Sequence, residues 1–249
     1  MGFLDFLFDK EQAEKKRLAK MLKTVTNMYV QPTERQFVLA ELKEMNNEDS
    51  LKILLARFNE SSHNSTVDLE EKEFVHESIV EMVRLNSALV PVIREHVLKA
   101  QDHVNWPLKI LQDIYSTDEM ADFLRELLES AHTEYERDPE KKQEVILRSA
   151  EFKNEALAKE ITRFLDDANE TIRYLTVETL IVQDFDFLAE PMSKRLAEED
   201  SLRIIQKMAL AFSNRRHWTV PDESREAVAS VLPSEYNLHK DGYIHSRRT

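Results

Sequence analysis

The sequence contains no cysteine. This absence excludes disulfide bonds, thiolate metal ligands and a cysteine nucleophile. It is typical of proteins kept in a reducing compartment, so we expect a cytoplasmic protein.

The sequence also lacks any run of about 18 consecutive apolar residues, the length that a membrane-spanning helix needs. The opening residues are apolar but carry Asp5 and no basic n-region, which makes them a poor signal peptide.

Glycine is almost as scarce as cysteine. The 249 residues include only Gly2 and Gly242, which lie near opposite ends of the chain. Glycine supplies the backbone conformations of tight hairpin turns and phosphate-binding loops. Its scarcity argues against dinucleotide-binding, P-loop and β-rich folds. The apolar share of 42% is enough for a core, and we therefore expect an all-α protein.

Net positive charge is also missing, because the formal net charge is −13. Nucleic-acid-binding proteins usually present a continuous basic surface to phosphates. The basic residues here form short, scattered groups at positions 15–17, 215–216 and 247–248. We therefore expect a protein partner rather than a nucleic acid.

The clearest helical pattern runs from Leu157 to Gln183. Its first half places apolar residues on one helical face, at Leu157, Ile161, Phe164 and Leu165. Residues 166–169 then predict a turn, and Asn169 is a good N-cap for a second helix. The second helix repeats the apolar stripe with Ile172, Leu175, Thr176, Thr179 and Leu180.

Two charged residues in this segment are spaced for a structural role. Asp167 lies in the turn and Arg173 lies in the first part of the second helix, so we expect the carboxylate to reach the guanidinium. An Asp in the turn followed by Ile172-Arg173 resembles the HEAT-repeat signature. Leu202-Arg203 repeats the apolar-Arg pair about 30 residues later, a spacing typical of helical repeats.

The resemblance to HEAT-repeat, armadillo-like proteins implies a right-handed superhelix of about five or six antiparallel helix pairs. The chain also resembles bacterial HEAT-repeat proteins of uncharacterised role that begin with a short MGxxDFLF-type segment. The HEAT-repeat resemblance implies three segments. They are an apolar segment and capping helix at 1–31, a repeat domain at 32–218, and a short helix with an irregular tail at 219–249. The resemblance further implies a non-enzymatic interaction or scaffold protein that binds a partner on a concave face lined by second helices.

Four polar or aromatic residues are candidates for that partner surface. Tyr174 and Glu178 point away from the apolar stripe of their helix, and Arg203 and Lys207 point away from the stripe of the next second helix. If adjacent second helices stack, these four side chains lie near one another. Trp106 and Trp218 are expected in the core.

The titratable residues of the sequence form no recognisable catalytic or metal-binding pattern. The eight histidines are dispersed, and His76-Glu77 lacks the second histidine of a zincin motif. We therefore expect no enzyme activity, no cofactor and no metal. The alternative is a HEAT-like enzyme that acts on nucleic acid or a bound cofactor, for which a continuous positive groove is the distinguishing feature.

The two ends of the chain leave alternatives open. At the N-terminus, five large apolar residues could cap the helical stack, dock into a partner or enter a membrane interface: Phe3, Leu4, Phe6, Leu7 and Phe8. Asp5 and Asp9 would be repelled by anionic lipid, so we rank the cap first and the membrane last. At the C-terminus, Asp241-Gly242 predicts either a small hairpin or a frayed tail. The oligomeric state stays open.

We predict that deleting residues 2–8 lowers the melting temperature of the purified protein. Burying a large apolar side chain stabilises a fold by roughly 1.5–3 kcal/mol, and a capping segment would contribute several such side chains. Thermal denaturation followed by circular dichroism measures the effect. An unchanged melting temperature, together with loss of a partner or of membrane association, would show that the segment is not a cap.

Overall fold

A computed structural model of the chain describes the backbone of residues 3–247 and the side chains from residue 10 onward. Within that part, thirteen α-helices dominate, and the β-structure is one two-stranded hairpin, so the expectation of an all-α chain is confirmed at this level. None of the described helices is both long enough and apolar enough to cross a bilayer. The helices group into two compact units, residues 1–116 and 117–249. The segments predicted from the resemblance, 1–31, 32–218 and 219–249, stay a prediction.

Unit 1 contains six α-helices in its described part, and helices two places apart pack together. Helix α1 packs on α3 and α3 on α5, while α2 packs on α4 and α4 on α6. The helices are α1 (Phe3–Thr26), α2 (Pro32–Met45), α3 (Glu48–Ala56), α4 (Ser65–Leu85), α5 (Val90–Lys99) and α6 (Asn105–Ile114). Helix α1 begins at Phe3, within the predicted N-terminal apolar segment.

Unit 2 repeats this arrangement with seven helices and the hairpin. A first row consists of α7, α9, α11 and α13, and a second row consists of α8, α10 and α12; successive members of each row pack together. The elements are α7 (Thr117–Glu129), α8 (Glu140–Ser149), α9 (Glu155–Ile161), α10 (Glu170–Gln183), α11 (Ala189–Glu198), α12 (Leu202–Ser213), α13 (Arg225–Val231), β1 (Tyr236–Leu238) and β2 (Ile244–Ser246). A 3₁₀ segment, Thr162–Asp166, continues α9 and makes its contacts with α11.

Asparagine and aspartate cap several helices at positions where serine or glycine often serves in other proteins. Helices α3, α4, α9 and α10 each begin at an asparagine whose side chain accepts a backbone N–H, and Asn169 is the one predicted from the sequence. Helices α2 and α10 end at Asn46 and Asp184, which adopt left-handed φ angles of 43° and 53°. Both residue types tolerate that conformation better than other non-glycine residues, so the helices can end without glycine.

Gly242 is needed where the C-terminal hairpin meets the rest of unit 2. Its φ of +88° is unfavourable for residues with a side chain, and a Cβ there would lie 2.6 Å from the Val220 carbonyl oxygen. The Val220 N–H donates to the Gly242 carbonyl at 2.8 Å, and Ile244 is buried. The hairpin, one of the two alternatives from the sequence, is therefore present and is packed against the helices.

Of the two tryptophans expected in the core, only Trp218 is there, together with most of the predicted apolar stripes of unit 2. Trp218 is fully buried, as expected, and its ring meets Phe212 edge to face. Trp106 is only half-buried and stacks on Phe58 with ring centroids 5.7 Å apart. Leu175 also differs from the prediction: it is half-buried, and Val177 occupies the core in its region of α10.

A buried ionic cluster joins three elements of unit 1. Glu71 on α4 accepts hydrogen bonds from Arg35 on α2 and from Arg57 after α3, with the closest N···O distance to each arginine being 2.9 Å. Arg57 also donates to Asp68 at 2.6 Å. The side chains of Glu71, Arg35 and Arg57 are at most 1% exposed. Because charges taken out of water are costly unless paired, these groups stabilise the unit only as a complete set.

We predict that Glu71→Gln lowers the free energy of unfolding by about 3–5 kcal/mol, because it leaves buried guanidinium groups with too little negative charge. Urea denaturation followed by circular dichroism provides the measurement. Glu95→Gln is the matched control, since Glu95 pairs with Lys99 on an exposed helix face and its loss should change little. Equal effects of the two substitutions would contradict a special role of the buried cluster.

Candidate functional site

The structure brings the four predicted partner-surface residues together on α10 and α12. Lys207 Nζ lies 2.5 Å from Glu178 Oε1, and the Tyr174 hydroxyl donates to the same oxygen at 3.2 Å. The Arg203 guanidinium carbon lies 4.4 Å from the centre of the Tyr174 ring, and Lys207 Nζ lies 5.9 Å from it. The ring therefore holds two cations by cation–π attraction, and the predicted proximity is confirmed. Whether these residues bind a partner stays a prediction.

Glu170 belongs to the same cluster and was missed in the sequence. Arg203 Nε donates to Glu170 Oε1 at 2.6 Å, and the Ser201 hydroxyl donates to the same atom at 2.6 Å. The hydrogen bond from Arg203 is the main reason why the pKa of Glu170 lies below its usual value, with Ser201 adding to it against the effect of burial. We call Glu170, Tyr174, Glu178, Arg203 and Lys207 the α10–α12 cluster. Its two carboxylates balance its two cations.

Exposed apolar side chains are distributed unevenly between the two rows of unit 2. In the described part of that unit, the exposed large apolar side chains on helices all lie on the second row, whereas the first row exposes only small ones such as Ala156 and Ala227. The large ones are Leu147 on α8, Val182 on α10, and Leu202 and Leu210 on α12. Val182 and Leu202 are 58% and 62% exposed. Exposed large apolar side chains that gather on one row of helices are candidates for an interaction surface.

The predicted ion pair between Asp167 and Arg173 is wrong in its partners. The Asp167 carboxylate is buried and pairs with Lys142 Nζ at 2.8 Å, and it also accepts the Asn169 N–H at 2.8 Å. Arg173 donates to the Asp167 main-chain carbonyl at 3.1 Å. Its guanidinium instead pairs with Glu199, because the turn directs the Asp167 side chain toward α8. Both residues keep the structural role that the sequence indicated.

Glu199 is held between two arginines at the end of α11. Arg173 Nη2 lies 2.9 Å from Glu199 Oε1, and Arg195 Nε lies 3.0 Å from Oε2. The backbone N–H groups of Asp200 and Ser201 donate to Oε1 as well. Burial alone would raise the pKa of this carboxyl, but the hydrogen bonds from Arg173, Ser201, Asp200 and Arg195 outweigh it and lower the pKa from 4.5 to about 2. Glu199 is therefore ionised throughout the physiological pH range.

Unit 1 contains a cleft of about 510 Å³ between α3 and α5. Its lining includes Lys52, Leu55, Val92, His96, Lys99 and Asp102. The two lysines are paired, Lys52 with Glu48 at 2.6 Å and Lys99 with Glu95. Burial lowers the pKa of His96, and among the described residues its Nε2 atom has no hydrogen-bond partner. The cleft has the volume of a small-molecule site, but its lining residues include no nucleophile beside a base.

The remaining predictions concern the apolar N-terminal residues and the absence of a metal site. The side chains of Phe3, Leu4, Phe6, Leu7 and Phe8 lie outside the described part of the structure, so their three alternative roles stay open. Among the side chains that are described, no three or more of His, Asp and Glu converge closely enough to hold a metal ion.

We predict that protonation of Glu199 lowers the free energy of unfolding of unit 2 at acidic pH. Its folded pKa of about 2 lies below the ordinary 4.5, so its contribution is complete above about pH 4.5 and is lost as the pH falls toward 2. Urea midpoints measured from Trp218 fluorescence in a Trp106→Phe background report this unit. The wild type should lose stability with falling pH more steeply than Glu199→Gln. Glu198→Gln, at the exposed neighbouring position, is the control and should follow the wild type. Parallel curves for the wild type and Glu199→Gln would refute the assignment.

Comparison with known proteins gives no relative from which a function could be transferred. No protein-family model matches the chain. No curated protein matches it. No solved structure matches it. The function must therefore be inferred from the residues themselves.

Proposed function

We propose that this chain is a non-enzymatic interaction or scaffold protein with HEAT-like helical repeats, and that it binds a protein partner on the second row of unit 2. The proposed binding face comprises α8, α10 and α12, with the α10–α12 cluster at its centre. On such a scaffold, function comes from the surface that the repeats present rather than from reactive groups in a pocket.

The packing order of the helices supports the repeat interpretation. In each unit a helix packs on the helix two places along, so that consecutive helices alternate between two rows. In unit 2, ion pairs also connect residues about one repeat apart, such as Glu170 with Arg203 and Asp184 with Arg215. Stacked repeats of this kind bury a shared core and leave one row available to a partner.

The observation that carries the proposed function is the uneven distribution of exposed apolar side chains. Leu147, Val182, Leu202 and Leu210 are exposed on the second row, whereas the first row exposes no large apolar side chain in the described part of unit 2. Leaving apolar area in water is unfavourable, and a partner that covers these side chains would recover roughly 1.5–3 kcal/mol for each one fully buried.

The charges on this face favour a protein partner over a nucleic acid. Arg203 and Lys207 are already paired with Glu170 and Glu178. A nucleic-acid groove needs cations that are free to replace the counterions of phosphates. Here phosphates would have to compete with carboxylates for the same cations, on a chain whose formal net charge is −13.

We predict that Val182→Ser/Leu210→Ser weakens partner binding by about tenfold or more, because two apolar contacts are lost. The partner is first identified by affinity capture from native lysate with mass spectrometry, and its affinity for each purified variant is then measured by calorimetry. Arg203→Glu/Lys207→Glu should weaken the same interaction, because like charges then oppose each other within the α10–α12 cluster.

Leu98→Ser provides the matched control, since it removes an exposed leucine from α5 in unit 1, outside the proposed face. Circular dichroism confirms that each variant is folded. The proposal is contradicted if both double variants bind as the wild type does, or if Leu98→Ser weakens binding as much as Val182→Ser/Leu210→Ser.

A further inference from the structure

Two imidazole rings lie side by side on the C-terminal hairpin. The ring centroids of His239 and His245 are 4.2 Å apart, and the ring planes differ by 39°. His245 pairs directly with Asn237 in the antiparallel register, and the His239 N–H donates to the Tyr243 carbonyl at 2.9 Å. Side chains two positions apart on a strand share a face, so His239, Asn237 and His245 lie on the same side of the hairpin.

The backbone beneath these rings is held from several directions. Arg225 on α13 donates to the Val220 carbonyl at 3.2 Å and to the Lys240 carbonyl at 2.6 Å. Gly242 pairs with Val220, and strand β2 packs against α12. The two rings are therefore carried by a fixed scaffold, which reduces the entropy that a ligand must remove when it binds both of them.

Both histidines are exposed, so a dissolved ion can reach their ring nitrogens. An imidazole nitrogen binds Zn²⁺ at about 2.0–2.1 Å, which places two imidazoles on adjacent positions of one ion with ring centres about 4.5–5.5 Å apart. The observed centroid separation of 4.2 Å is somewhat shorter, and because both side chains are exposed, rotation about their χ angles can bring one nitrogen of each ring to a shared ion.

We propose that His239 and His245 form a two-imidazole binding site for a divalent transition-metal ion of the Zn²⁺, Ni²⁺ and Cu²⁺ class. Imidazole is a preferred ligand of these ions, whereas Mg²⁺ and Ca²⁺ require oxygen ligands. Water molecules complete the coordination, because no third His, Asp or Glu side chain of the described part converges on the pair. A bound ion links β2 to the segment following β1 and so closes the hairpin.

This proposal is independent of the proposed partner surface, because the histidine pair and the α10–α12 cluster share no residue. Each can fail without affecting the other. The proposed metal site is a binding site, and no catalytic step is assigned to the ion.

The experiment uses the full chain without an affinity tag. Equilibrium dialysis against ZnCl₂ or NiCl₂ in a non-chelating buffer measures stoichiometry and affinity, and the melting temperature is measured with and without the ion. We expect one ion per chain and a rise in melting temperature, because an ion that binds only the folded hairpin stabilises it by mass action. His239→Ala and His245→Ala should each weaken binding by about tenfold or more, since only one imidazole remains.

His63→Ala is the matched control, because His63 is an exposed histidine in a loop of unit 1. It should bind the ion as the wild type does. His245→Gln keeps a side chain of similar length and should also lose binding, which separates loss of the ligand from disturbance of the hairpin. The proposal is overturned if His239→Ala/His245→Ala binds Zn²⁺ and Ni²⁺ with wild-type affinity, or if MgCl₂ raises the melting temperature as much as ZnCl₂ does.

Discussion

A buried carboxylate that is bonded to two arginines holds neighbouring elements together in each unit. In unit 1, Glu71 accepts hydrogen bonds from Arg35 and Arg57, which belong to other elements. In unit 2, Glu199 at the end of α11 accepts hydrogen bonds from Arg173 on α10 and from Arg195 on α11 itself. Removing such charges from water is expensive, and the cost is offset only when donors and acceptors meet in one geometry. Apolar contacts tolerate small sliding movements, whereas these bonds require one relative position of the helices, so they set how each helix lies against its neighbours.

That fixed packing determines what the surface of unit 2 presents. Once α10 and α12 lie side by side, Glu170 and Glu178 neutralise Arg203 and Lys207, and Tyr174 lies against both cations. Paired charges lower the electrostatic cost of bringing a protein surface close to the second row. In the proposed function, the exposed large apolar side chains on the same row supply the favourable free energy of contact. The proposed interaction function rests on the way the helices stack rather than on a reactive group.

In the C-terminal hairpin, a few local contacts hold two histidines next to each other on the surface of a helical protein. Gly242 permits the turn, because any side chain there would collide with the Val220 carbonyl. Arg225 donates to the Lys240 carbonyl in the turn and to the Val220 carbonyl beside Gly242. The two histidines are six positions apart in the sequence, a separation that predicts no metal site in a helix or in a frayed tail. Only the antiparallel register brings their rings together, so no histidine motif in the sequence marks the pair.

The sequence by itself determined the helices, many of the buried stripes and the Asn169 cap, because periodicity and capping depend on residues within a few positions of one another. It also indicated that Tyr174, Glu178, Arg203 and Lys207 would meet, since that required only a repeat of about 30 residues. Tertiary structure alone decided which charges pair. Asp167 bonds to Lys142 and Arg173 bonds to Glu199, over separations for which local spacing gives no information. A charged side chain has many partners of opposite sign within reach in an unfolded chain, and only the packed helices select one of them.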